Sequence, residues 1–134
     1  MDAALTRLVW QRAKGCCEYC QTPQAADEIA FQIDHVMARK HGGPTTVDNL
    51  CLSCFHCNSS KGSDIATLAP RTRRLVPLFN PRRQEWPRHF RWEGAYQVGR
   101  TQIGDATIVL LKINDPFRVD LRETLIEEGV FPPV

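Results

Sequence analysis

Leu5, Leu8, Val9 and Ala13 recur at a spacing that gathers them on one side of a helix, and Gly15 stands where it should stop. The pattern predicts a helix over 3–14. The period then changes. Ile29, Phe31 and Ile33 alternate with Ala30, Gln32 and Asp34, the rhythm of a half-buried strand. On that reading Asp34 points away from the apolar face, and His35 begins the exit from the strand. Residues 36–48 contain Arg39, Lys40, His41, Gly42, Gly43 and Pro44, a basic loop. Leu50 and Leu52 suggest a short return strand, antiparallel to the first if the loop folds back. A turn over Cys54–Cys57 then leads into a short helix from about Asn58. The expected order is strand, loop, strand, helix, with polar residues converging in one cleft.

The second half is patterned differently. Residues 70–92 are rich in arginine and proline, with Phe79, Trp86, Phe90 and Trp92 interspersed. A free linker has little use for four aromatics, so this stretch is expected to be an ordered connector packed on the body. Tyr96 and Val98 hint at a strand. Thr107–Ile113 is ambiguous, because its β-branched residues favour a strand while Asn114 suits a helix end. Asp115-Pro116 has the form of an N-cap followed by proline at the first helical position. Phe117, Leu121 and Leu125 then recur every four residues up to Gly129, which predicts a final helix.

A chain of 134 residues is most simply one folded body. Its expected division is a core over 1–69 and a packed connector and extension over 70–134. The formal charge of +2 is mild, but its distribution is not. Arg71, Arg73, Arg74, Arg82, Arg83, Arg88, Arg91 and Arg100 crowd a stretch whose only acids are Glu85 and Glu93. Such a stripe is either a solvated surface or a track for phosphates. No segment is long or apolar enough to cross a membrane, and the N-terminus lacks a signal-peptide layout, so a cytoplasmic protein is expected.

Six cysteines without an export signal point to metal ligation or free thiols, not to disulfides. Cys17-x-x-Cys20 and Cys54-x-x-Cys57 have the spacing of a structural zinc site. Zinc binding in small modules contributes on the order of 10 kcal/mol to folding. Cys51-x-x-Cys54 has the same spacing, so the register is open. The pairing of Cys54 with Cys57 is favoured, because it keeps Leu50 and Leu52 in a strand and starts a helix just past the last ligand. Cys16 and Cys51 are then free thiols.

A lone histidine at a strand end is more often structural than catalytic. Here an aspartate precedes it, Asn49 opens the return strand and Asn58 heads the helix. Adjacent residues at a frayed strand end can point apart, so Asp34 can hold a cation while His35 addresses a water.

Together, Cys17-Glu-Tyr-Cys20, Asp34-His35-Val36, Gly42-Gly43, Asp48-Asn49-Leu50 and Cys54-Phe-His-Cys57-Asn58-Ser-Ser-Lys61-Gly62 resemble the HNH endonuclease family. The resemblance spans residues 7–62. It implies an α+β fold: a ββα-metal (HNH/His-Me finger) core stapled by a four-cysteine zinc, followed by the basic connector and an α+β extension. It makes His35 the first motif histidine, Asn49 the motif asparagine and Asn58 the last motif position, where many members carry histidine.

The implied activity is metal-dependent hydrolysis of DNA phosphodiesters, leaving 5′-phosphate and 3′-hydroxyl ends. His35 is the expected general base, and Asp34 and Asn58 the expected ligands of a catalytic divalent ion, magnesium or manganese. Asn49 is expected to orient His35 and pin the loop. Lys61, Arg39, Lys40 and His41 are the expected substrate contacts, with Arg73, Arg74, Arg82, Arg83, Arg88 and Arg91 as an extension of the track. His56, between the zinc cysteines, competes as a surrogate ligand or cap. Cutting both strands with one site per chain favours a homodimer. The alternative is a non-catalytic, zinc-dependent nucleic-acid-binding module, which leaves Asp34, His35, Asn49 and Asn58 unexplained. Weaker still is an interaction module that docks a partner through its acidic final helix.

Overall fold

The structure, a computed structural model, describes residues 1–133. It is a mixed α+β fold with three two-stranded sheets. Helix α1 (Ala3–Arg12) is capped by Asp2, whose Oδ1 accepts from Leu5 N at 2.9 Å. It turns Val9 inward, with Leu5, Trp10 and Ala13 packed beside it, while Leu8 stays exposed.

Strand β1 (Gln32–His35) runs antiparallel to β2 (Leu50–Ser53), with Gln32 opposite Ser53 and His35 opposite Leu50. The strand expected from Ile29 begins three residues later, and Ile29 is exposed. Gln24 explains the late start. Its side chain accepts from Phe31 N at 2.7 Å and donates to Ile29 O at 3.1 Å, taking backbone groups that a longer ladder would use. β2 is buried along its whole length.

Helix α2 (Phe55–Lys61) starts inside the second cysteine turn, ahead of Asn58. Cys54 is its N-cap, with Sγ accepting from Cys57 N at 3.4 Å. The metal-ligand turn and the helix start are therefore one structure.

At the end of the expected core, β3 (Ala66–Leu68) pairs across the 69/70 division with β4 (Leu75–Pro77), followed by α3 (Trp86–His89) and the hairpin of β5 (Phe90–Glu93) and β6 (Tyr96–Gly99). The first half of the ambiguous stretch is helical and the rest is turn: α4 spans Gln102–Leu110, and residues 111–113 form the turn that follows it. Thr101 caps it through Gly104 N at 3.1 Å. Thr107 is tolerated because its hydroxyl is occupied twice, donating to Ile103 O at 2.7 Å and accepting from Phe79 N at 2.9 Å.

The last helix, α5 (Pro116–Glu127), forms where expected, but of its apolar row only Leu125 is buried. Phe117 is 54% exposed and Leu121 37%, whereas Arg118, Val119, Arg122 and Leu125 are buried. Asp115 holds the N-cap position, yet its side chain makes no cap bond. Two arginines face inward because carbonyls and cysteine sulfurs await them.

One apolar core joins the whole chain. Val9, Tyr19, Phe31, Leu50 and Leu52 pack in a single cluster with Phe79, Phe90, Leu111 and Ile113. The connector aromatics also grip the first cysteine turn. Trp86 Nε1 and Gln97 Nε2 both donate to Tyr19 O, at 3.0 and 2.9 Å, and Trp92 Nε1 donates to Gln21 Oε1 at 2.8 Å. Among the described residues, no helix is long and apolar enough to cross a membrane.

Candidate metal centre and cleft

The thiols of Cys17, Cys20, Cys54 and Cys57 are all buried, and their sulfurs lie within 4.8 Å of one another. Cys20 Sγ and Cys54 Sγ are 3.8 Å apart. A tetrahedron built on Zn–S bonds of about 2.3 Å has an edge of about 3.8 Å, so the cluster has the size a zinc ion requires. Cys51 lies outside it, on β2, with its thiol donating to Tyr19 Oη at 3.6 Å. Burial, reinforced by the nearby Asp34, pushes the Cys51 thiol up to about 12. Cys16 is only half-buried, and its thiol donates to Lys14 O at 3.6 Å. His56 packs edge-on against Phe117 with ring centres 4.9 Å apart, outside the cluster.

Arg118 reaches the cluster from α5. Its Nη2 donates to Cys57 Sγ at 3.0 Å and Cys54 Sγ at 3.7 Å, and its Nη1 donates to Leu111 O at 2.8 Å and Lys112 O at 3.2 Å. Burial alone would lower its pKa, but the sulfurs of Cys57, Cys20 and Cys54 outweigh burial and hold it raised.

Asp34 and His35 end β1. Burial raises the Asp34 pKa, and the adjacent Lys61 ammonium only partly offsets this. Lys61, expected to meet a phosphate, is 2% exposed, with Nζ 3.0 Å from Asp34 Oδ2 and donating to His35 O at 3.2 Å. The ammonium is thus paired with a buried carboxylate oxygen, whose charge it compensates. Asn58 is half-buried one turn before Lys61, on the same side of α2.

The imidazole of His35 meets Thr45, with Nε2 and Oγ1 2.8 Å apart. Asn49 serves the loop instead of the ring. Its Oδ1 accepts from Met37 N at 3.0 Å, and its Nδ2 donates to Met37 O at 3.0 Å and Pro44 O at 2.9 Å. Gly43 makes that closure possible, since a Cβ there would lie 1.8 Å from Met37 O. Gly42 precedes it with φ of 86°, ending the short turn Arg39–His41. Arg12 holds the far limb of the loop, donating to Val47 O at 2.7 Å and Leu50 O at 2.6 Å.

Residues 17–64 match the family model described as HNH endonuclease. No curated protein and no solved structure matches the chain. The HNH segment begins at the first zinc-type cysteine and ends just beyond Lys61, so it contains all four clustered cysteines together with Asp34, His35, Asn49 and Asn58. The match points to nuclease activity in general terms.

Arg39, Lys40 and His41 are exposed in the HNH segment, on the loop that His35 and Asn49 bracket. Arg71, Arg73, Arg74, Arg83, Arg88 and Arg91 are exposed beyond it, whereas Arg82 is sequestered in an ion pair with Glu18. Glu18 also accepts from Leu52 N at 2.8 Å, tying the first cysteine turn to β2. A cleft of about 350 Å³ opens beside Lys61, lined in part by Met37, Asn80 and Arg83. Thr45 and Arg118 carried no signal in the sequence. Thr45 is one of two adjacent loop threonines, and Arg118 is one arginine among many.

Proposed function

We propose that the protein is a metal-dependent DNA endonuclease that hydrolyses phosphodiesters and leaves 5′-phosphate and 3′-hydroxyl ends. The reading treats β1, β2 and α2 as a ββα-metal core, with residues 1–69 as the nuclease body and 70–134 as its packed extension. One observation carries it: the buried carboxylate of Asp34, at the strand end beside His35 and ion-paired with Lys61, is an anionic oxygen ligand suited to a hard cation.

Asp34 and the amide oxygen of Asn58 are the residues that would hold a magnesium or manganese ion. A divalent ion bound there supplies neutralisation of the charge that develops on the phosphate and leaving oxygens. His35 takes the proton from the attacking water, with its ring steadied through Thr45. Asn49 and Gly43 fix the loop that carries Thr45 and presents Arg39, Lys40 and His41 to the DNA backbone. Lys61 keeps Asp34 ionised and in place until a cation arrives. The exposed arginines of the extension prolong the backbone contact without reading sequence.

The test is plasmid nicking in magnesium or manganese. Wild type is expected to nick. His35→Ala is expected to lose nicking while keeping its zinc content and DNA affinity. Full activity in His35→Ala overturns the assignment of the base. DNA binding by wild type without cleavage in either metal supports the non-catalytic alternative.

A further inference from the structure

Helix α5 lies outside the HNH segment, yet it contributes two buried cations to the metal centre's surroundings. No acid pairs with either; the ion pairs among the described residues are Lys61–Asp34, Arg82–Glu18 and Arg91–Glu93. Arg122 spends its guanidinium on Ala95 O, Ile113 O and Asn114 Oδ1 and lies over the Trp92 ring at 5.3 Å. Arg118, one turn earlier, is different, because one of its two terminal nitrogens is committed to cysteine sulfur. A buried guanidinium needs acceptors or a counter-charge; Arg122 finds carbonyls, an amide oxygen and a ring face, whereas for Arg118 the cysteine cluster supplies the counter-charge. Four thiolates around one zinc ion leave two negative charges to be balanced.

We infer that Arg118 is the outer-sphere cation of the zinc centre, clamping Cys57 and Cys54 with one nitrogen and the carbonyls after α4 with the other. Zinc loading and the docking of the C-terminal helix are then a single coupled event. N–H donors on a thiolate draw electron density from sulfur and fix its orientation, which strengthens retention of the metal. The inference concerns the zinc site alone and holds whether or not the cleft cuts DNA.

The experiment compares Arg118→Met, Arg118→Lys and Arg122→Met in the full chain. Zinc affinity is read by competition with a chromophoric chelator, and sulfur donation by the thiolate-to-metal charge-transfer band of the cobalt(II)-substituted protein. Arg118→Met is expected to weaken zinc binding about tenfold to a hundredfold and to move the band to lower energy. Arg118→Lys, whose single ammonium cannot serve both sulfurs and both carbonyls, is expected to fall between Met and wild type. Arg122→Met touches no sulfur and is expected to leave the band unmoved. An unchanged band and affinity in Arg118→Met overturn the inference, as does an equal shift of both in Arg122→Met. Should Arg118→Met not fold, Arg118→Lys decides: a wild-type band and affinity in that variant overturn it.

Discussion

Lys61 closes on Asp34 from the last turn of α2, its ammonium 3.0 Å from a buried carboxylate oxygen. Both side chains are largely out of solvent, at 2% and 11% exposure. The pair joins the helix to the strand that ends in His35, and the ammonium offsets part of the burial that raises the Asp34 pKa.

Breaking one half of that pair should cost more than replacing both. Asp34→Asn leaves the Lys61 ammonium buried without its counter-charge, and about 3 kcal/mol of stability should be lost. Adding Lys61→Met to Asp34→Asn should restore much of that loss in denaturant unfolding, yet nicking should stay absent in the double variant. Restored nicking would remove Asp34 from the site.

The loop should be separable from the zinc centre. Asn49→Ala deletes three loop hydrogen bonds, each worth about 1 kcal/mol. Gly43→Ala forces the Met37 carbonyl away from a Cβ that would sit 1.8 Å from its oxygen. Both variants should show faster amide exchange over 36–49 and reduced nicking, with zinc stoichiometry equal to wild type. Loss of zinc in either would tie the loop to the metal frame instead.

Thr45→Val removes the hydroxyl 2.8 Å from His35 Nε2 while keeping the side-chain shape. A neutral hydrogen bond of about 1 kcal/mol corresponds to about a fivefold effect, so nicking should slow by roughly that factor at unchanged DNA affinity. An unaltered single-turnover rate would show that the ring needs no such support.

The two spare cysteines should react unequally. Thiolate is the reactive form, and burial pushes Cys51 up to about 12. Cys16 is also raised by burial but is only half-buried. In zinc-loaded protein at about pH 8, iodoacetamide should modify Cys16 slowly and leave Cys51 intact, as read by peptide mass spectrometry. Raising the pH toward the Cys16 value should speed its labelling. Labelling of Cys51 in folded protein would contradict its burial.

Much of the centre could be read before any coordinates, because it is local. Two Cys-x-x-Cys turns, an Asp-His at a strand end, and an asparagine opening the return strand each depend on neighbours a few residues away. Spacing alone constrains such features. The zinc register, the return strand and the final helix are legible for that reason. The start of β1 was not, because a glutamine side chain intercepted the ladder.

What the fold had to decide is non-local. Which face of α5 turns inward depends on sulfurs and carbonyls more than fifty residues upstream or just before the helix, so arginines displace Phe117 and Leu121 from the interior. Lys61 and Arg82 read as surface bases, yet each is drawn inward by a carboxylate on another element. Thr45 and His35 meet only because Asn49 closes the loop between them. Periodicity reports what water leaves exposed or buries on average. It cannot report the partner that makes a buried charge tolerable, since that partner is supplied by a distant part of the chain.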